Sequence, residues 1–261
     1  MSRRKLATLW LITWFGGSAI RSLARGPSPF ELEQALAPPS FPHLPLGADT
    51  YGRDLLSVVS GASTLSFGFA LACVGASVMI ALFTAGIAPN LPRAAERALE
   101  SLLEFLLAFP SILFAFMVAG FLGPGRSTVA AALVLGATPG LTRTLWVRSR
   151  ELSRQEFIWA ARSLGAGPAR LALRHYLPHL LSVARVKIPS LVAHALVAEA
   201  SLSFLGLGFP AGQESWGSLL AQARDYLIEA PHLSMAVGLP LILSLLALDR
   251  KSTRLNSSHR T

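Results

Sequence analysis

The sequence predicts an all-α fold, a polytopic membrane helix bundle of about six transmembrane helices. Three observations predict it. Hydrophobic residues make up 52% of the chain and charged residues only 14%, against about 25% charged in soluble domains. Leu55 to Ala88 contains no charge at all, although about 20 apolar residues already suffice to cross the hydrocarbon core. The lysines and arginines flank the apolar runs instead of forming one stripe. That pattern reads as membrane-facing and cytoplasmic loops, so the net charge of +9 does not imply nucleic acid. Aromatic stacking runs are absent as well.

The elements follow in order. Leu6 to Ile20 is a short first span, extendable to about Ala24 if Arg21 snorkels. It resembles a signal peptide but lacks a small-x-small cleavage site, so an uncleaved span is expected. Arg25 to Asp54, rich in proline and acidic residues, is extramembrane. The second span is expected over about Leu65 to Ala88, the third over Ala98 to Leu122, and the fourth over Val129 to Val147 with a kink at Pro139-Gly140. The fifth is placed at Ile188 to Gly208 and the sixth at Leu233 to Leu248. At 1.5 Å per residue the sixth covers only about 24 Å, short of the roughly 30 Å required.

Between the fourth and fifth spans lies a polar island, Arg154 to Pro178. Gln155 to Leu164 reads as a short helix ended by Gly165 and Gly167, because glycine accepts the left-handed conformation that ends helices. Pro168 opens a second helix expected to stop near Pro178. A basic helix-turn-helix suits a docking element; an ordinary basic loop would carry the same charge. With the N-terminus inside, 18 of the 23 lysines and arginines fall on the inner side, which places both termini and the island in the cytoplasm. The cytoplasmic (inner) membrane is the expected location.

Catalytic chemistry is not legible. No Gly-x-x-x-x-Gly-Lys-Ser/Thr phosphate loop, Gly-x-Ser-x-Gly or His-Glu-x-x-His occurs. The single cysteine, Cys73, lies in an apolar run and excludes an intrachain disulfide or a cysteine zinc site. His175 and His179 have a metal-compatible spacing, but nothing nearby completes a ligand set. No cofactor is expected in this chain. Glu199, inside the fifth span, is a functional candidate because ionisable groups at membrane depth are costly. Glu199 and Ser203 could line a translocation path, or Glu199 could bond to another helix. His194 is five residues away from it and off the same face. At the outer side, Asp49, Gly52, Arg53 and Asp54 could contact a partner or brace the loop, with Trp216 as an aromatic anchor nearby.

Several spaced motifs share one resemblance. Gly47-Ala-Asp-Thr-Tyr-Gly-Arg-Asp54, Leu107-Ala-Phe-Pro-Ser111, Ala160-Ala-Arg-Ser-Leu-Gly165, Arg174-His-Tyr-Leu-Pro178, Ala198-Glu-Ala-Ser-Leu-Ser-Phe-Leu-Gly-Leu-Gly208 and Ser215-Trp-Gly-Ser218 occur in that order. The chain thereby resembles the inner-membrane permeases of ABC importers, in particular the C-type subunit of the dipeptide/oligopeptide/nickel group. The resemblance covers about Leu46 to Leu248. It implies the type I permease fold, with a membrane anchor helix and periplasmic segment over 1–53. The permease core is 54–248, with a coupling loop at about 148–187. It also implies partners: a homologous second permease, two ATP-binding subunits that hold ATP and Mg, and a periplasmic or lipid-anchored substrate-binding protein. Solutes of such systems include short peptides, nickel and glutathione.

In the resemblance, Glu156, Trp159, Ala160, Ala161, Arg162, Gly165, Leu177 and Pro178 are the residues that meet the ATPase. One position departs from the motif: Trp159 stands where the family has a glutamate, so a polar contact is lost or passes to Glu156. The tail, 249–261, also departs and reads as a non-native end. The alternatives are a stand-alone secondary transporter or channel, which predicts internal repeats and several intramembrane charges, and a non-transporting scaffold.

Overall fold

The charge-free stretch becomes the axis of the molecule. In the computed structural model, which describes residues 3–25, 29–210 and 212–257, it forms α2 (Leu55–Ile87). Around it stand α1 (Arg3–Arg25), α5 (Arg126–Ser153) and α8 (Leu177–Phe204), with α10 (Pro231–Ser257) closing against α1 and α8. Shorter helices are α3 (Arg93–Ala108), α4 (Ser111–Leu122), α6 (Glu156–Ser163), α7 (Pro168–Leu171) and α9 (Trp216–Arg224). Among the described residues there is no strand, only two isolated bridges in the 29–54 loop.

Helix α2 starts ten residues before the expected span because Asp54 caps it. The carboxylate accepts from the Leu56 N–H and the Ser57 hydroxyl, and pairs with Arg21 of α1 at 2.8 Å. Within the helix, Ser60, Ser63 and Ser77 donate to the carbonyl four residues back, so apolar surroundings leave no hydroxyl proton unmatched. The Trp14 indole donates to Ser63 and the Trp10 indole to Ser244, fixing α1 to α2 and α10.

Among the described residues, three helical stretches are long and apolar enough to span a membrane: Leu55–Asn90, Pro168–Phe204 and Pro231–Lys251. The expected third span, 98–122, is corrected. It is two helices bent by 94°, since Phe109 before Pro110 is forced into the extended region at ψ 132°. Its α3 half carries Glu96, Glu100 and Glu104 at four-residue spacing, facing Arg143 and Arg150 of α5; Arg143–Glu100 is the shortest pair at 2.9 Å. These glutamates are an ion ladder between helices, not isolated charges in a span.

The expected stop at Pro178 is also corrected. A π-turn over Ala172–Tyr176 joins α7 to α8, and the Leu177 N–H bonds to the Ala172 carbonyl. The wider turn shifts the register where Pro178 would otherwise collide with a carbonyl one turn back. The helical path therefore runs unbroken from Pro168 to Phe204. The sixth span is not short. Helix α10 continues to Ser257, and its candidate span Pro231–Lys251, 21 residues with the charged Asp249, Arg250 and Lys251 at its end, covers about 31 Å. Residues 258–261 of the tail lie outside the described residues.

Candidate functional site: a helix-turn-helix and a groove along α8

The short helix α6 is built by local rules. Its C-terminus is a Schellman arrangement: Ala166 N–H bonds to the Ala161 carbonyl at 3.0 Å and Gly165 N–H to the Arg162 carbonyl at 2.9 Å. Gly165 sits at φ +82°, which a side chain would strain. Ile158 and Leu171 are buried and tie α6 and α7 to the bundle, while Tyr176 is buried at the π-turn. Ala161, Ala166 and Leu177 pack partly against the same core.

The opposite face is open. Trp159 is 64% exposed, and Leu164 and Leu173 are still more so. Glu156, Ala160, Arg162, Gly165 and Pro178 are exposed too. Neither Glu156 nor Arg162 has an ion pair among the described residues. His175 and His179 flank the Phe157 ring at 6.3 and 5.9 Å. Thus the sequence-predicted residues Glu156, Trp159, Ala160, Arg162 and Gly165 share one solvent-facing element, whereas Ala161 and Leu177 support it from behind. Phe157, Leu164 and Leu173 were missed by sequence reasoning. Their signal was apolar side chains off the buried face of an amphipathic pair of short helices.

A groove of about 530 Å³ runs between α4, α5 and α8. Its floor is small and apolar (Gly136, Ala137, Gly140, Ala195), and Lys187, Ser190 and His194 line it from α8. Glu199 and Ser203 do not reach it. Both are buried on the other side of α8. Ser203 donates to Glu199 Oε1 at 2.7 Å. Ser66 of α2 and Ser215 at the start of α9 approach the carboxylate, but neither meets strict hydrogen-bond geometry, which leaves Oε2 unmatched.

The close approach of α9 to α8 has a clear cause. A Cβ on Gly217 of α9 would strike the Ala200 carbonyl of α8, and one on Gly208, in the segment between the two helices, would strike Ser203. Ser215 and Ser218 form a capping box, and the Trp216 N–H bonds to Ser66 Oγ at 3.1 Å. The Trp216 side chain is fully buried against Phe15. Trp216, expected as an aromatic anchor near the outer loop, thus points inward, where Phe15 of α1 and Ser66 of α2 meet it.

The 29–54 loop is braced from inside. Asp49 accepts from the Tyr51 and Arg53 N–H groups at 2.9 and 2.8 Å, and from Arg53 Nε at 2.7 Å. Arg53 also pairs with Glu214, linking the loop to the segment before α9, and its guanidinium stacks on Phe30 and Tyr51. Burial alone would lower the Arg53 pKa; Glu214 and Asp49 outweigh it and raise it. Gly52 is required by its φ of +74° and by the Glu31 carbonyl, which a Cβ would strike. Glu214 was not foreseen because it lies 161 residues from its partner.

Comparison with known proteins supplies the rest. Residues 77–257 match the family of binding-protein-dependent transport system inner membrane components. A protein of Brucella suis biovar 1, named provisionally as a peptide transport system permease, is 34% identical over 85% of this chain and 75% of its own length. A glutathione transport system permease protein of Pectobacterium atrosepticum is 30% identical over 84% of this chain and 73% of its own. One from Escherichia coli O6:K15:H31 is 31% identical over 81% and 69%. The matched region begins inside α2 and takes in the ion ladder, the helix-turn-helix, the groove and α10. With a helical membrane bundle and these relatives, the chain belongs to the binding-protein-dependent transport system inner membrane components, as a permease subunit of an ABC importer.

Proposed function

We infer that this chain couples ATP hydrolysis in separate subunits to movement of a small solute, short peptides or glutathione being the solutes its relatives' names carry. The observation that carries the reading is the helix-turn-helix. It is rigidly anchored through Ile158 and Leu171, presents Trp159, Leu164 and Leu173 outward, and runs without a break into α8. A displacement applied to α6 is thus delivered to the helix that lines the groove. Glu156, Trp159, Ala160, Arg162 and Gly165 form the face that meets the ATPase, with Ala161, Leu177 and Pro178 shaping its base. Two such ATP-binding subunits, a homologous second permease and a periplasmic or lipid-anchored binding protein complete the importer. ATP and Mg belong to the ATPases, and this chain performs no chemistry itself.

Both termini lie in the cytoplasm by the lysine and arginine count. The chain divides into the anchor and periplasmic segment at 1–53, the permease core at 54–248, and the tail. Asp49, Gly52, Arg53 and Asp54 hold the outer loop in shape for the binding protein. A stand-alone transporter gains no support from a bundle whose α3 glutamates are paired and whose Glu199 is buried.

The test is co-purification of the tagged chain with its neighbouring ATPase subunits, followed by Gly165→Pro. Proline cannot reach φ +82° and lacks the N–H that closes the turn. The variant should insert and fold yet lose transport. Failure of any ATPase to associate, together with intact transport by the variant, would refute the reading.

A further inference from the structure

Helix α8 divides its polar groups between two faces. Glu199 and Ser203 turn into the seam with α2 and α9. Lys187, Ser190 and His194 turn the other way, at spacings of three, four and seven residues, and line the groove opposite Thr144 of α5. Among the described residues no Asp or Glu lines this groove. Lys187 and His194 have no ion pair there either. Lys187 stands at the inner end of the spanning part of α8, and an imidazole two turns further along it, at His194, is costly against hydrocarbon. The cost falls if the groove holds water and solute, and a surface with one sign of charge then favours the opposite sign.

We propose that the groove between α4, α5 and α8 is a carboxylate-selective section of the solute path. Lys187 and His194 take a solute carboxylate in turn, and Ser190 supplies a hydrogen bond between them. The two positions are two helical turns apart, about 10 Å along α8, which is within the length of a small carboxylate-bearing solute. The small residues of α5 leave room for the rest of the molecule. The proposal rests on the permease reading and names the chemistry its path selects.

The test needs no knowledge of the solute. Cys73 is the single cysteine and is buried, so Cys73→Ser gives a clean background for Ser190→Cys in the assembled complex in proteoliposomes. Rates of modification are compared for an anionic sulfonate-bearing methanethiosulfonate and its cationic trimethylammonium counterpart, each normalised to free cysteine. The anionic reagent should be favoured about fivefold at low salt, as expected for one positive charge roughly 8 Å away in a water-like medium. Lys187→Gln should bring the ratio to about one. Thr144→Cys, on the opposite wall, provides a second reporter if Ser190→Cys does not fold. Unreactive cysteines at both positions would mean that lipid or the second permease fills the groove, and would overturn the proposal. So would a ratio at or below one. ATPase association, measured on the same sample, tests the permease reading separately.

Discussion

Trp159→Ala isolates the coupling contact, because Trp159 lies outside the packed core. The side chain is 64% exposed, and a tryptophan buries about 150–250 Å² when fully covered. About 130 Å² therefore remains for a partner to cover. At about 25 cal/mol per Å² that is about 3 kcal/mol, an upper bound since area converts incompletely into affinity. Three kcal/mol corresponds to about a hundredfold in affinity. The ion-pair alternative predicts something different. An exposed pair formed by Glu156 or Arg162 contributes about 0–1 kcal/mol and weakens with salt. The assay is titration of purified ATPase subunit onto the permease in nanodiscs at low and high salt. Trp159→Ala should weaken binding by tens to a hundredfold at both salts, leaving thermal stability unchanged. Glu156→Gln should weaken it by less than about fivefold, and only at low salt. If Trp159→Ala binds as tightly as the parent while Glu156→Gln does not, apolar docking through Trp159 is refuted.

Three further outcomes are expected. Gly217→Ala should lower thermal stability in detergent by about 1–3 kcal/mol, since its methyl meets the backbone of Ala200; Gly238→Ala, with open space around it, should be neutral or slightly stabilising. Glu199→Gln should keep transport within about twofold because it retains the Ser203 hydrogen bond, whereas Glu199→Ala should destabilise by about 2–4 kcal/mol through an emptied, unmatched seam; equal behaviour of the two in a melting assay would contradict the seam role. Arg53→Met should cost about 1–3 kcal/mol by freeing Asp49 and Glu214. The raised Arg53 pKa means its own contribution is fully present below the unfolded arginine value, far above the working range, and lost only above it. Between pH 6 and 9 the gap between Arg53→Met and the parent should therefore stay constant as far as Arg53 itself is concerned, measured by thermal unfolding.

Particular residues show why some of this was legible from sequence and some was not. Gly165 announced the end of α6 because a helix stop is local: one glycine, one left-handed residue and two backbone hydrogen bonds suffice. Gly52 suggested a turn for the same reason, and Asp49 supplies its internal hydrogen bonds. Pro178 misled, because its effect depended on a π-turn in the preceding five residues, whose register no local signal specifies. Pro110 was read as part of a span, yet the residue before it turns the chain by 94° and sets α3 against α5.

The sequence by itself determined that the chain is a helical membrane bundle, where most helices lie, and which motifs order them. Those properties follow from hydrophobic runs, caps and glycines, which act over a few residues. Only the tertiary structure decided which way each face of α8 looks. Glu199 and His194 are five residues apart in one apolar helix, and nothing in that spacing says which of them is buried. Packing against Ser66 and the α9 start drew Glu199 inward, and the small residues of α5 left His194 and Lys187 to an open groove. Which face is buried is settled by segments distant in sequence, because only the fold brings α2 and α9 against that side of α8; the Ser203 hydrogen bond that offsets part of the Glu199 desolvation comes from its own helix.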